Sequence, residues 1–210
     1  MPDNPLLCPI VIGRMAQLEL LQEAIARVRA GTGQIILLTG DAGIGKSRLV
    51  SEVRHAALEQ QWQILQGNCL EVIRTLPYAP LLDLLQGGVN KLSAAEITHL
   101  LGSGVVELLK ILPELVSRLP EIELPPYTDA DQEKQRLFQS CTLIFSQLAN
   151  QQPLVLTLED LHWIDPSSLE YLTYLASKLV NLPLLLVITC RNEELSPAPK
   201  RFRAWLERER

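Results

Sequence analysis

The stretch QIILLTGDAGIGKSRLVSEVRHAAL, residues 34–58, constrains the fold more than any other part of the chain. Its opening QIILLT has no helical period and is bounded by Gly33 and Gly40, which predicts a strand buried on both faces. Beyond the glycine-rich loop the spacing changes. Leu49, Val50, Val53 and Ala57 recur on one side of a helix over residues 46–60. A strand that runs through a tight loop into a helix must return to a parallel neighbour, so the chain is committed to a helix-covered parallel sheet.

Other segments repeat the alternation. Residues 14–30 place Leu18, Leu21, Ile25 and Val28 on one helical face and stop at Gly31. WQILQGN (62–68) reads as a second strand, and the prolines of LPYAPLLDLL (76–85) mark a bend into another helix. Leu137, Cys141, Ile144, Phe145 and Leu148 share one face of a helix over 132–149 that Pro153 ends. LVLTL (154–158) and LLLVITC (184–190) are further apolar strands, separated by a helix that Asp165 caps and Pro166 opens. Between about residues 86 and 131 the leucines are interrupted by Gly102, Gly104, Pro113, Pro120, Pro125 and Pro126, which predicts short helices cut by turns, an insertion or lid. The expected fold is an α/β three-layer αβα sandwich with a mostly parallel sheet, whose strand ends open toward one ligand-binding edge.

Composition narrows the function. With 19 basic against 24 acidic residues the net charge is -5, which disfavours direct nucleic-acid binding as the main task. The basic cluster KRFRAWLERER (200–210) alternates with acids and reads as a solvated helix face. Cys8, Cys69, Cys141 and Cys190 are far apart with no zinc-ligand spacing, as expected of buried, reduced thiols. The start MPDNPLLCPI has no basic-then-apolar leader, and LPLLLVIT (182–189) is too short to span a bilayer, so a soluble, cytoplasmic protein is expected.

Gly40, Asp41, Ala42, Gly43, Ile44, Gly45, Lys46 and Ser47 match the pattern GxxxxGK[ST], placed between strand and helix. Such a loop turns backbone N–H groups inward, and the helix that follows adds about half a positive charge at its amino end. Lys46 can reach terminal phosphates and Ser47 can hold Mg²⁺ beside them. In LVLTLEDLHWID (154–165) two acids, Glu159 and Asp160, follow a strand whose parallel order brings them near Ser47. One can hold the metal while its neighbour orients an attacking water. Arg191, at the end of LLLVITCR, is a candidate sensor of the γ-phosphate.

VIGRMAQLELL (11–21), GDAGIGKSRLVSEV (40–53), PYAPLLDLL (77–85) and LEDLHWIDPSSLEYL (158–172) together resemble the ATPase domains of the signal-transduction ATPases with numerous domains (STAND), close to the origin-recognition-like AAA+ proteins. Similar domains occur in LuxR-type large ATP-binding regulators and fused to kinases or adenylate cyclases. The resemblance implies a P-loop NTPase core over residues 8–195 that takes ATP and Mg²⁺. Val11, Ile12, Gly13 and Arg14 would lie beside the adenine, and the loop with Arg48 would hold the phosphates. Walker A Ser47 and Walker B Glu159 would take the magnesium, with Asp160 as catalytic base, Lys46 on the phosphates and Arg191 as sensor.

The order Glu159 then Asp160 reverses the usual Asp then Glu, leaving the base one methylene, roughly 1.5 Å, shorter. Weak ATPase activity is therefore expected. Met15 also stands where relatives often carry Glu. Relatives continue into another core strand, a lid and effector regions, so this chain, ending in a charged helix over 196–210, reads as a fragment of a signalling or transcription-regulating switch. Its partners would be ATP or ADP and those downstream lid, sensor and effector domains. The absent strand would pair beside QIILL and leave it as an open edge that invites association. The competing readings are an origin-recognition-type DNA-associated ATPase, a small-molecule kinase and a nucleotide-binding remnant without catalysis.

Overall fold

The computed structural model describes residues 15–119, 129–191 and 197–208. Helix α1 (Met15–Arg29) ends at Gly31, whose φ of 91° lets the Gly31 and Thr32 amides turn back onto the carbonyls of Val28 and Arg27. The chain then runs through β1 (Gln34–Thr39), α2 (Lys46–Glu59) and β2 (Gln63–Asn68) to α3 (Ala79–Val89). Helices α4 (Ala94–Leu101), α5 (Val105–Ile111) and α6 (Ala130–Gln151) precede β3 (Leu154–Glu159), α7 (Pro166–Lys178), β4 (Leu184–Cys190) and α8 (Pro197–Arg208).

The four strands form one parallel sheet in the order β1-β4-β3-β2. Alternation along the strands assigns each face its helices. Val155, Leu185 and Val187 join Leu21, Val28, Val50, Val53, Ala57 and Trp62 under α1 and α2. Leu154, Leu156, Leu184, Leu186 and Ile188 face the opposite way, into a larger core with α3, α6 and α7. At about 1.5–3 kcal/mol for each fully buried aliphatic side chain, these two faces supply the main driving force for the sandwich.

Two expectations need correcting. QIILLT is not buried on both faces: all of β1 is half-buried, because among the described strands it lies at the sheet edge and pairs with β4 alone. That edge position agrees with the one implied by the family resemblance. The described part of the 86–131 stretch consists of short helices cut by turns, as expected, and it packs into the main core. Ile97, Leu108 and Leu115 are buried in the same core as α6 and the sheet, and α4 is started by a reciprocal Ser93–Glu96 capping box. The last helix, α8, is not simply a solvated face either: Phe202 is buried in that core and stacks near Trp205.

The described cysteines, Cys69, Cys141 and Cys190, are free and buried, while Cys8 lies outside the described residues. Among the described residues no single helix is long and apolar enough to cross a membrane.

Candidate functional site

Parallel pairing points the carboxyl ends of β1, β3 and β4 to one edge of the sheet, and the chemistry-bearing residues collect there. Between β1 and α2 the loop is shaped by left-handed glycines. Gly43 has φ 74° and Gly45 φ 92°, values that a residue with a Cβ adopts only under strain. Gly45 is the N-cap of α2, and no side chain caps that helix end. Its first-turn amides therefore carry the partial positive charge of the helix toward the loop. A Cβ built on Gly43 would meet nothing within 4 Å, so the loop is open on that side.

Lys46 folds back across this loop, its Nζ donating to the carbonyl oxygens of Gly40 (2.9 Å) and Asp41 (2.8 Å). Ser47 Oγ donates to Glu159 Oε2 at 2.9 Å, joining residues 112 positions apart in the chain. The main chain of Glu159 is held from the β2 side, its carbonyl accepting from Cys69 N at 3.1 Å. Asp160 follows in a left-handed conformation, φ 59° and ψ 48°, with its amide donating to Thr189 Oγ1 at 3.0 Å. Its side chain is about half exposed, and Oδ1 lies 3.9 Å from Nδ1 of the buried His162 imidazole. Arg74 lies 5.8 Å over the neighbouring Trp163 ring.

Asp165 caps α7 as expected, accepting from Ser168 N at 2.9 Å, but the same Oδ1 also accepts from Tyr78 N at 3.0 Å. This second bond ties the start of α3 to the turn that follows the two acids. Two thiols register the local electrostatics. Burial first, then Asp165, Asp160 and Asp83, push the Cys69 thiol up to about 12. Burial raises Cys190 to about 11, with the Asp160 charge adding to this and Arg203 and Lys46 opposing it.

The structure thus brings together Gly40, Lys46, Ser47, Glu159 and Asp160. Asp41, Ala42, Gly43 and Ile44 form the exposed outer turn of the loop. Arg48 lies on α2 with Nη2 at 2.9 Å from Glu52, an ion pair within its own helix. Arg191 directly follows β4 and is half-buried. Val11, Ile12, Gly13 and Arg14 lie outside the described residues. The bond from Asp160 to Thr189 was not anticipated; its one sequence signal is a lone hydroxyl in the otherwise apolar run LLLVITC.

These residues fit a polyphosphate with its cation. The loop is open, the helix end is uncapped, and an ammonium, a hydroxyl and a carboxylate converge on it. Ser47 and Glu159, 2.9 Å apart, are the residues that would hold the cation, sharing it with phosphate oxygens.

A four-stranded parallel sheet with helices on both faces and this loop at its edge is a P-loop NTPase core. More closely, the chain belongs to the AAA ATPase domain family, which matches residues 10–188. Membership implies nucleotide and magnesium binding in general. An uncharacterised protein of Rhizobium meliloti (strain 1021) is 29% identical over 194 residues, covering 86% of this chain and 18% of its own length. Among solved structures, Cdc6p from Pyrobaculum aerophilum aligns with a TM-score of 0.51 at 16% identity, covering 96% of this chain and 45% of that one. The Aeropyrum pernix ORC2 protein aligns at a TM-score of 0.49 and 15% identity, covering 98% and 47%. The chain therefore spans less than half the length of each of these proteins.

Proposed function

We propose that this chain is the nucleotide-binding switch of a larger signalling or transcription-regulating protein of the STAND type, one that binds MgATP and hydrolyses it slowly. The observation that carries this reading is the 2.9 Å bond between Ser47 Oγ and Glu159 Oε2, which sets the two candidate magnesium ligands side by side at the mouth of the loop. Mg²⁺, when bound, supplies charge neutralisation for the β- and γ-phosphates.

The protein's own groups do the rest. Amides at the start of α2 hold the phosphates, and Lys46 exchanges its two carbonyl partners for phosphate oxygens. Asp160 accepts a proton from water as that water attacks the γ-phosphorus, and the bond to the ADP oxygen breaks to leave ADP and phosphate. Arg191 stabilises the charge on the transferring group. The short reach of Asp160 keeps turnover slow, as suits a switch whose output depends on which nucleotide is bound. ATP-dependent association with downstream domains or partner chains, in the cytoplasm, converts this state into a signal. The net charge of -5 favours this reading over direct DNA contact.

Separate variants test the two halves. Lys46→Ala is expected to weaken binding of a fluorescent ATP analogue by at least about thirtyfold, the loss of roughly 2 kcal/mol of charge-assisted hydrogen bonding. Asp160→Asn is expected to bind normally while phosphate release falls. Unchanged affinity in the first variant removes the loop assignment; unchanged turnover in the second clears Asp160 of a catalytic role.

A further inference from the structure

The carboxylate of Asp160 is aimed by a backbone conformation that needs support. Left-handed φ and ψ crowd the Cβ of any L-residue against the following carbonyl, a cost that hydrogen bonds to the same turn help to offset. The β3–β4 ladder ends at the Leu158–Ile188 pair, just short of the turn. Beyond it, β4 continues alongside β1, where Leu38 pairs with Thr189 and Thr39 with Cys190. Past the end of the ladder, the Asp160 amide donates to a side chain, the Thr189 hydroxyl at 3.0 Å. Thr189 is 2% exposed and carried on a strand buried throughout its length, so this acceptor is fixed by the rigid centre of the sheet. On the other side, the Asp160 carbonyl accepts from Trp163 N at 2.9 Å, closing the short turn Leu161–Trp163.

We propose that Thr189 is a positioning residue for the hydrolytic step. Its hydroxyl extends the β3–β4 ladder by one residue, locks the main chain of Asp160 in the left-handed region and so fixes where the carboxylate stands relative to Glu159 and Ser47. Glu159 is held by β2 through Cys69 N and Asp160 by β4 through Thr189, so the two acids are anchored to different neighbouring strands. The roles of adjacent acids are thereby separated: one faces the metal ligand Ser47, and the other is turned away from the strand by its own backbone. The inference rests on the reading of Asp160 as the base.

Thr189→Val is nearly isosteric and removes the acceptor, whereas Thr189→Ser keeps it. In the Val variant kcat for ATP is expected to fall roughly ten- to hundredfold, the scale on which a misplacement of about 1 Å acts, while MgATP affinity stays within about twofold. Thr189→Ser is expected to restore most of the turnover. Independently of activity, the Asp160 amide in the nucleotide-free protein is expected to exchange with solvent at least about tenfold faster in the Val variant, because its buried acceptor is gone. Thr189→Ala provides the same two readouts if the Val chain does not fold.

Wild-type turnover in a folded hydroxyl-less variant, or equal losses of rate and affinity, overturns the positioning role and leaves the ATPase reading intact. Unchanged exchange of the Asp160 amide also overturns it. A wild-type chain that binds MgATP without turning it over overturns the ATPase reading, and the positioning role with it.

Discussion

Asp165→Ala probes the bond that ties the nucleotide edge to the helical layer beneath it. Asp165 is 2% exposed, and its Oδ1 accepts from two backbone amides, Ser168 N in the first turn of α7 and Tyr78 N at the start of α3. Loss of an N-cap costs about 1 kcal/mol, and leaving the Tyr78 amide without an acceptor costs about 1–3 kcal/mol more. Tyr78 itself has φ 64°, a left-handed conformation that this bond helps to hold. The sum is about 3 kcal/mol, or a fall in Tm of roughly 6–12 °C for a chain of this size.

Asp165→Asn keeps a carbonyl oxygen in the same place and loses mainly the favourable charge at the helix end, so it is expected to cost about 0.5–1 kcal/mol. Urea denaturation followed by circular dichroism, with a constant m-value, measures both. An Ala variant within 1 kcal/mol of wild type, or an Asn variant as unstable as the Ala variant, would rule out the double-acceptor role of Asp165. The first result would deny the double acceptor any importance; the second would assign its contribution to charge instead of geometry.

Two further outcomes follow from packing and burial. Gly67 in β2 is crossed closely by α3: a Cβ there would stand 2.5 Å from the Pro80 carbonyl oxygen and 2.9 Å from Leu158 Cδ2, so Gly67→Ala is expected to destabilise by at least about 2 kcal/mol, visible as a lowered urea midpoint. The buried thiols predict alkaline sensitivity. Cys69 rises from 9.0 to about 12 and Cys141 rises further, both mainly through burial. Above pH 9 the unfolded chain releases these protons while the folded chain keeps them, so stability falls with rising pH, by about 1.4 kcal/mol per pH unit for each thiol. Urea midpoints at pH 7.5 and 10 check this. The drop should shrink in a Cys69→Ala/Cys141→Ala double variant; an equal drop there would show that other groups cause it.

Local patterns were the legible part of the chain. The loop between QIILLT and α2, the helical face of Leu137, Cys141, Ile144, Phe145 and Leu148, and the cap at Asp165 all depend on residues within a turn or two of one another. Long-range contacts were legible only where a motif pairs the residues, as for Ser47 and Glu159 across 112 positions. Asp160 reaches Thr189 across 29 residues and Tyr78 reaches Asp165 across 87, and neither spacing leaves a periodic trace. QIILLT looked like a central strand because apolar continuity reports the residues of a strand and not its neighbours. Phe202 was hidden among charges that suggested a fully solvated helix, although one aromatic on a short helix is enough to dock it.

Capture of a magnesium-bound polyphosphate by the amides and ammonium at the start of α2 is open to isothermal titration calorimetry. MgATP added to folded wild-type protein is expected to give a saturable, single-site heat that weakens when the metal is chelated and whose affinity falls at least about thirtyfold in Lys46→Ala. Absence of any heat with MgATP or MgADP, from protein whose circular dichroism and melting show it to be folded, would contradict that claim.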